Sequence, residues 1–436
     1  MTSPIVTPWG PADSLRERRL RPGPGIPRED VERSQRERLY GAMVAVVDEV
    51  GYEGMRVGKV AERAGVSRSA LYEYFADRDE CFFATFDALI AEVLVRIADA
   101  YDEQQPWDQR LRRILERLVE MIVEQPAAAR LCLLELYCAG PRAEERRNRS
   151  AAVLERVALE ALDQSPERAG MPPALIRALV GGVRTVFQRH LRGGDEHELP
   201  GLVDDLWQWA LSYPTPPVPL KPPPIEPPDI PQWTPTTQFE RLCAALVQVI
   251  CEKGYQETKV ADVASAASTS LSTFYTHFPS KRKAFLATCD AGAAFGFNAA
   301  YEAYQRHDGE WGPRTHAAMR EFLKFLSAEP RWTYIASVEQ FGAGAQAQAR
   351  RDRSMDMFTA QLAPGFELRP ELPEVTRHAI GGALYTLTYS HILNHGAERL
   401  LEILPYASYV TLTPFLGAEE AAAIANDSDV GLLAAT

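Results

Sequence analysis

The stretch from Val57 to Phe75 reads VGKVAERAGVSRSALYEYF and predicts two short helices joined by a tight turn. Apolar residues recur at helical spacing in its first part, at Val57, Val60, Ala61 and Ala64. Gly65 ends that helix, and a second helix restarts behind Ser67, a favourable N-cap residue, with Leu71 and Phe75 facing inward. The pattern is that of a helix-turn-helix, although two packed helices in an unrelated all-helical domain would share the spacing.

The residues on the outer face of the second helix suit contacts with a nucleic acid. A short helix fits the major groove, and an Arg with small hydroxyls near its N-terminus can bind phosphates while Tyr hydroxyls reach base edges. In this region we therefore expect DNA contacts from Lys59, Ser67, Arg68, Ser69, Tyr72, Tyr74 and Arg78.

The whole pattern occurs a second time further along the chain. Gly254-Tyr255 repeats Gly51-Tyr52 at an offset of 203 residues, and the same offset relates Val57 to Val260, Ser67 to Ser270, Tyr72 to Tyr275 and Phe75 to Phe278. Arg177 with Gly181-Gly182 recurs as Arg377 with Gly381-Gly382 at an offset of 200. The duplication therefore spans whole domains.

Each repeat resembles the DNA-binding domain of TetR-type (TetR/AcrR-like) transcriptional regulators. The likeness rests on a helix over 34–50 closed by Gly51-Tyr52, the helix-turn-helix ending in Tyr72-Glu73-Tyr74-Phe75, and the polar Asp77-Arg78-Asp79-Glu80 that opens a long helix. It implies an all-α fold of two tandem TetR-like units, each a helix-turn-helix head with a helical effector and dimerisation domain. By resemblance, the helices bearing Gly181-Gly182 and Trp207 form a dimer-type interface, although a contact within one subunit would use the same small residues.

The predicted segments are a disordered basic arm (1–30), a first helix-turn-helix DNA-binding domain (31–86), a first helical effector-like domain (87–212), a Pro-rich linker (213–235), a second helix-turn-helix DNA-binding domain (236–289), a second helical effector-like domain (290–417) and a tail (418–436). The linker favours polyproline II at ~3.1 Å per residue, which makes it either a stiff spacer of roughly 60 to 70 Å or a generic interdomain joint. The basic arm either lies along phosphates or enters the minor groove of DNA, or it is a solvated tail. Its Arg residues are Arg16, Arg18, Arg19, Arg21 and Arg28.

The second helix-turn-helix departs from the first at two places. Ser268 replaces the turn Gly, which costs some strain, and residues 270–278 contain no Arg or Lys. We expect a working head rather than a degenerate one, since hydroxyls and imidazoles also hydrogen-bond DNA. Its candidate contacts are Lys259, Ser270, Ser272, Thr273, Tyr275, His277 and Lys281.

Composition narrows the function classes. The formal net charge of −12 argues against indiscriminate nucleic-acid binding, so any DNA contact must be local. Six scattered cysteines without metal-site spacing indicate reduced thiols, and no secretory signal or membrane-spanning run is present, so we expect a cytoplasmic protein. We find no catalytic nucleophile with its base, no paired carboxylates, no phosphate loop and no metal constellation, and therefore expect neither an enzyme nor a cofactor.

The duplicated motif predicts a sequence-specific DNA-binding transcriptional regulator that acts as a covalent pseudo-dimer on a double-stranded DNA operator. The resemblance to TetR-type regulators implies that it is a ligand-responsive repressor. The ligand is a small molecule of unknown identity, and further homodimerisation stays open. Candidate ligand-binding residues, which ordinary core packing would also explain, are Trp332, Phe341, Tyr385, Tyr389 and His391. The alternative is a regulator with a degenerate second head that acts partly or wholly through protein–protein contacts.

Overall fold

The computed structural model describes residues 5–20, 25–224 and 234–427, and these are almost entirely helical. A two-residue pair of antiparallel strands, β1 (Val6–Thr7) and β2 (Gly10–Pro11), precedes the helices. The helices are α1 Arg28–Gly54, α2 Val57–Ala64, α3 Arg68–Tyr74, α4 Arg78–Ala100, α5 Trp107–Glu124, α6 Pro126–Leu133, α7 Pro141–Leu162, α8 Pro173–Gly193, α9 Val203–Leu211, α10 Gln238–Lys253, α11 Val260–Ala266, α12 Leu271–His277, α13 Lys281–Arg306, α14 Trp311–Ala328, α15 Pro330–Ser337, α16 Ala345–Thr359, α17 Ala363–Leu368, α18 Val375–His395, α19 Leu404–Leu416 and α20 Ala418–Ala425. Within the described part of the chain, no helix is both long and apolar enough to cross a membrane.

Several predicted helices end in a tighter 3₁₀ turn. The apolar residues 127–139 divide into α6 and a 3₁₀ helix, Glu135–Ala139, and the helix that bears Trp207 is preceded directly by a 3₁₀ helix, Glu196–Leu202. Pro200 lies inside the latter, where it cannot donate a backbone hydrogen bond. The apolar period alone did not distinguish the two helix types.

Each head has its own apolar core, built from equivalent residues. In the first head, Leu71 of α3 and Phe82 of α4 are fully buried against α1. In the second head, Phe274 of α12 and Phe285 of α13 are fully buried against α10. Burying a large apolar side chain contributes about 1.5–3 kcal/mol, so these inward-facing residues hold each short recognition helix in place.

The chain divides into two compact units that do not coincide with the two sequence repeats. The first contains Met1–Leu162 and Val186–Asp204, and the second contains Asp163–Thr185 and Asp205–Thr436. The first part of α8 and most of α9 therefore belong to the unit that holds the second repeat.

Within the second unit, α8 and α18 touch through reciprocal Gly–Thr contacts. A Cβ atom added to Gly181 would lie 2.1 Å from Oγ1 of Thr386, and one added to Gly382 would lie 2.4 Å from Cβ of Thr185. Gly182 is equally constrained, because its added Cβ would lie 2.7 Å from the carbonyl oxygen of Ala379. Only glycine fits at these positions without displacing the facing helix.

The described part of the predicted linker is packed against the second unit. Tyr213 is buried and its hydroxyl donates to the carbonyl of Val410 (2.9 Å), while the Tyr409 hydroxyl donates to the carbonyl of Pro214 (2.8 Å). Burial raises the pKa of Tyr213 well above its ordinary value. Residues 213–214 are thus anchored rather than part of a free spacer; residues 225–233 of the linker lie outside the described residues.

The N-terminal arm differs from the disordered segment that we predicted. Residues 5–20 fold onto the first head, because Leu15 is fully buried in its core and contacts Gly41 of α1. An added Cβ on Gly41 would lie 3.0 Å from the Leu15 side chain. Among the Arg residues of the arm, Arg21 lies outside the described residues.

The predicted tail also contains ordered structure. Helix α20 buries Ala421, Ala422 and Ala425, and the Asn426 amide donates to the carbonyl of Pro219 (3.1 Å). Small apolar residues let this helix pack closely, which the Ala-rich composition alone did not predict. Residues 428–436 lie outside the described residues.

Candidate nucleic-acid interface and ligand cavity

The first helix-turn-helix has the predicted backbone. Gly65 adopts the left-handed conformation (φ 62°) and closes α2, and a buried Arg38 donates to the carbonyl of Ala64. Ser67 caps α3, since its hydroxyl accepts from the backbone N–H of Ala70 (3.1 Å). These local contacts fix the orientation of α3 without using its outer face.

The outer face of the first head contains most of the predicted contact residues. The exposed side chains are Lys59, Ser67, Arg68, Ser69 and Tyr72. Tyr72 is 54% exposed although it is large and aromatic. The guanidinium of Arg68 lies over Gly58 of α2, 2.3 Å from where a Cβ would be. A cation, small hydroxyls and a phenol thus share one exposed surface.

Two predicted contacts of the first head turn away from this surface. The Tyr74 hydroxyl donates to Oε1 of Gln35 (2.7 Å), and partial burial raises the pKa of Tyr74. Arg78 pairs with Asp79 (2.9 Å) and lies 5.0 Å from the ring centre of Tyr52. Both side chains therefore have partners within the head, and Arg78 joins α4 to the end of α1.

The second helix-turn-helix repeats the first backbone with a different turn residue. Ser268 adopts a left-handed φ of 52°, and its N–H donates to the carbonyl of Ser265 (3.0 Å), as the Gly65 N–H does to Glu62 (3.1 Å). Among the described residues it is the only non-glycine residue with positive φ. Ser270 caps α12 by accepting from the N–H of Thr273 (3.0 Å). The turn is thus kept at the cost of backbone strain.

The outer face of the second head is exposed but differs in chemistry. Tyr275 is 55% exposed, and Leu271 is 49% exposed where the first head has Arg68. The other predicted contacts that are exposed are Lys259, Ser270, Ser272 and His277. Thr273 is half-buried, and its hydroxyl oxygen lies 2.9 Å from that of Ser270.

Lys281 has the inward position that Arg78 has in the first head. Its ammonium donates to the carbonyl of Tyr255 (2.7 Å) and lies 4.3 Å from the ring centre of the same residue. The Gly-Tyr motif of each repeat thus receives a cation from the start of the following long helix.

A second pair of contacts joins each head to the domain that follows it. The backbone N–H of Tyr52 donates to Glu135 (2.7 Å), and that of Tyr255 donates to Glu339 (2.8 Å). Burial raises the pKa of Glu135. The sequence predictions missed these carboxylates, although both follow the Gly-Tyr motif at nearly the same distance along the chain.

The folded arm adds a basic side chain beside the turn of the first helix-turn-helix. Arg16 contacts Gly65, with its Cγ 3.1 Å from an added Cβ. The exposed Arg residues of the folded arm are Arg16, Arg18 and Arg19. The apolar Leu15, which lies among these Arg residues in the sequence, anchors the arm and could have indicated that the arm packs on the head.

A cavity of about 160 Å³ lies in the second unit, between α13, α14, α16 and α18. Of the predicted ligand residues, Trp332 and Tyr385 line it, whereas Tyr389 and His391 are not among its lining residues. The His391 imidazole lies 2.9 Å from the carbonyl oxygen of Arg399, and burial lowers its pKa. The Phe341 side chain lies outside the described side chains.

Polar residues of the cavity were missed by the sequence predictions. Arg350 and Gln340 line it and are only 6% and 2% exposed. Arg350 also pairs with Asp290 of α13 (2.5 Å). The first repeat contains a matching pair, Arg146 with Asp87 (3.2 Å), which is the signal that could have identified Arg350.

Comparison with known proteins agrees with the duplicated motif. The family model of bacterial regulatory proteins, tetR family, matches residues 41–85 and again residues 242–288. The chain is 29% identical over 97 residues to the HTH-type transcriptional regulator CymR of Pseudomonas putida, covering 22% of this chain and 48% of that protein. It is 27% identical over 105 residues to the nucleoid occlusion factor SlmA of Pasteurella multocida, covering 23% and 53%. The chain thus spans about half the length of these two relatives.

Among solved structures, the transcriptional regulator FadR of Bacillus subtilis, in complex with stearoyl-CoA, is 19% identical, with a TM-score of 0.38. The match covers 40% of this chain and 97% of that one. Both matched regions coincide with a helix-turn-helix whose outer face is exposed. The chain therefore carries, in tandem, two regions that match the helix-turn-helix domain of bacterial regulatory proteins of the tetR family.

Proposed function

We propose that the protein is a sequence-specific DNA-binding transcriptional regulator, a repressor that a small ligand releases from its operator. The observation that carries this proposal is the pair of helix-turn-helix heads, each with a half-exposed Tyr at the same position of its recognition helix, Tyr72 and Tyr275. An exposed Tyr on a short helix is accessible to a DNA groove, and the hydroxyls beside it suit phosphate and base contacts.

In this proposal the two heads read unlike half-sites. Arg68 can form a bidentate contact with guanine, whereas Leu271 at the equivalent position offers only apolar contact, for example with a thymine methyl group. The hydroxyls of Ser69 and Ser272 are common to both faces and suit phosphates. The operator should therefore consist of two different half-sites about 34–36 Å apart, one helical turn of DNA.

The reciprocal contacts of α8 with α18 support the covalent pseudo-dimer. Gly181 faces Thr386 while Thr185 faces Gly382, so each helix presents the same pair of residues to the other. Reciprocity of this kind is the property of a two-fold interface between identical subunits. Fusion would replace concentration-dependent dimerisation with an intramolecular contact.

The cavity of the second unit supports a small-molecule ligand. Its wall is mostly apolar and aromatic, with a small number of buried polar groups, which is the usual composition of a ligand site. In the proposed mechanism, the ligand favours one arrangement of the helices around the cavity and thereby changes the affinity of the heads for DNA.

The alternative is that the second head no longer reads DNA and acts through protein contacts. The observation that favours it is Leu271, an apolar residue 49% exposed at the position where the first head has Arg68. The net charge of −12 is compatible with this reading, because it weakens general attraction to phosphates.

Selection of binding sites from random duplexes by the intact chain tests the proposal. We expect a salt-sensitive site that Arg68→Ala and Tyr275→Ala each weaken about tenfold or more. Arg149→Ala and Tyr301→Ala replace comparably exposed residues outside the heads and should leave affinity unchanged. If only Arg68→Ala weakens the site, the second head has become structural; if no site is selected, the protein-contact alternative holds.

A further inference from the structure

The cavity of the second unit contains a buried cation with unused hydrogen-bonding capacity. Arg350 lines the cavity at 6% exposure, and in the described part of the chain its Nη2 atom has no hydrogen-bond partner. Leaving a buried charged donor unpaired is costly, so this position favours a ligand that supplies an anionic acceptor.

The same cavity also contains a buried hydrogen-bond acceptor, the side-chain oxygen of Gln340, that has no donor among the described residues. Gln340 is 2% exposed; its amide nitrogen donates to the Ser337 carbonyl (3.4 Å) and to the Tyr385 hydroxyl (3.3 Å). These contacts fix the orientation of the amide, and its Oε1 atom accepts no hydrogen bond from the described residues. A ligand hydroxyl or N–H would satisfy it.

The rest of the cavity wall determines the chemical character of the part of the ligand that lies away from its polar groups. Phe297, Phe322 and Phe358 contribute aromatic surface, and the rings of Phe297 and Phe322 are stacked with centroids 5.4 Å apart. Such a wall favours an apolar chain or ring and disfavours a highly charged metabolite. The second arginine of the wall, Arg351, is paired with Asp352 (3.0 Å), so the guanidinium of Arg350 beside this mostly apolar wall selects an amphipathic anion.

The ion pair of Arg350 connects the cavity to the second head. Arg350 lies on α16, and Asp290, its partner, lies on α13, the long helix that begins at Lys281 immediately after the recognition helix. Asp290 itself is largely exposed (65%). A carboxylate entering the cavity would share or take over the guanidinium and weaken the contact between α16 and α13.

We propose that the cavity binds an amphipathic carboxylate with a nearby hydroxyl group, held by Arg350 and Gln340, and that binding loosens the Arg350–Asp290 contact with α13. This inference rests on the proposed ligand-responsive function and names the ligand class and the residue through which the ligand acts.

The first repeat provides an internal control for the second. Arg146 pairs with Asp87 in the same way, but its guanidinium also lies 4.6 Å from the ring centre of Phe83 and the side chain is only half-buried. The Asp87–Arg146 pair joins α4 to α7 without lining the cavity of the second unit. Changing it should leave ligand binding unaltered.

Calorimetry on the full chain without DNA tests the ligand class with octanoate, 3-hydroxyoctanoate and 1-octanol. We expect octanoate to bind at least tenfold more tightly than 1-octanol, and 3-hydroxyoctanoate to bind two- to tenfold more tightly than octanoate. Arg350→Gln should weaken the binding of octanoate about ten- to hundredfold. Arg353 is an exposed residue of the same helix, and Arg353→Gln should leave the affinity for octanoate unchanged. Equal binding of the alcohol, or an unchanged Arg350→Gln variant, overturns the carboxylate site; equal binding of the two acids overturns the hydroxyl contact.

The link to the head is tested with Asp290→Asn and its counterpart Asp87→Asn. Asp290→Asn should bind octanoate several-fold more tightly, because the competing carboxylate is gone, and octanoate should then lower DNA affinity less than it does in the unchanged chain. Asp87→Asn should match the unchanged chain in octanoate affinity. An Asp290→Asn variant with unaltered octanoate affinity contradicts the competition. Since calorimetry uses no DNA, failure of DNA binding would overturn the proposed function without deciding the ligand class.

Discussion

The two heads have nearly the same backbone and clearly different surfaces. Gly65 and Ser268 both adopt left-handed φ values, and Ser67 and Ser270 both cap their recognition helices. On the outer faces, however, Leu271 stands where the first head has Arg68. The difference teaches that the backbone of the helix-turn-helix has been retained while the side chains of its outer face have diverged.

The two effector-like domains diverge in the same manner. In this part of the repeat the offset is 204 residues, which relates Trp107 to Trp311 and Arg112 to His316. Arg112 is exposed and paired with Glu116 (3.1 Å). His316 is buried, with its Nδ1 2.7 Å from the Ser408 hydroxyl oxygen. An exposed ion pair in the first domain thus corresponds to a buried polar contact in the domain that contains the cavity.

The largest expected effect concerns the pH dependence of this buried contact. Burial lowers the pKa of His316 to about 4. The unfolded chain takes up a proton near the ordinary value of 6.5, so stability is full above that pH and decreases as pH falls toward 4. At 1.36 kcal/mol for each pKa unit, the loss is about 3 kcal/mol. Urea unfolding at pH 7.5 and pH 4.5 measures it.

His316→Gln is the matched variant, because it keeps a polar side chain without a titrating ring. Its unfolding free energy should change with pH by about 3 kcal/mol less than that of the unchanged chain. Equal pH dependence in both proteins would show that other groups cause the loss.

The next effect concerns the contact of α8 with α18. Gly181→Ala and Gly382→Ala should each destabilise the chain by about 1–3 kcal/mol, because the new methyl group overlaps the facing Thr. A double-mutant cycle of Gly181→Ala with Thr386→Gly, measured by urea unfolding, should recover most of the loss. Additive effects of Gly181→Ala and Thr386→Gly would show that the two side chains do not collide. A loss of stability at only one of the two glycines would contradict a two-fold symmetric contact.

Exchanging the divergent residue of the recognition helices tests the heads directly. Leu271→Arg should strengthen binding to a duplex that lacks the selected site about tenfold and increase the salt dependence by about one phosphate contact, provided that α12 lies in a groove. Leu271→Gln, which adds polarity without charge, is the control, and fluorescence anisotropy at two salt concentrations is the measurement. An identical salt slope in both variants would place α12 away from the DNA.

The smallest expected effect is that of the strained turn. Ser268→Gly should stabilise the second head by about 0.5–1 kcal/mol, because glycine adopts positive φ without the steric cost that Ser carries. Gly65→Ser should destabilise the first head by a similar amount, and somewhat more through contact with Arg16. The unfolding temperatures of both variants test these expectations. A lower unfolding temperature for Ser268→Gly would show that the backbone at Ser268 is not strained.

Sequence predicted the heads well because their signals are local. The glycine turn, the Ser caps and the inward apolar residues lie within about twenty residues of one another, and the repeat presents them twice. The inward positions of Arg78 and Lys281 depend instead on Tyr52 and Tyr255, which lie on another helix. Helical spacing gives the face of a residue but not its partner.

The arm and the cavity were harder to predict for the same physical reason. Leu15 lies in a segment rich in Pro, Gly and Arg, and only its packing against α1 orders that segment. Arg350 reads as an ordinary solvated cation until α13 and α14 enclose it. The order of the arm and the burial of Arg350 both depend on packing against residues distant in the sequence. The local spacing of apolar residues does not indicate such contacts.

The stoichiometry and symmetry of the selected DNA site test the central claim most directly. Mass measurement of the complex on a site selected by the intact chain should give one chain for each duplex, with two half-sites that are not inverted copies. Such a result means that two different heads of one polypeptide read the operator together. A perfect palindrome occupied by two chains would contradict the account, because identical heads from separate molecules would then do the reading.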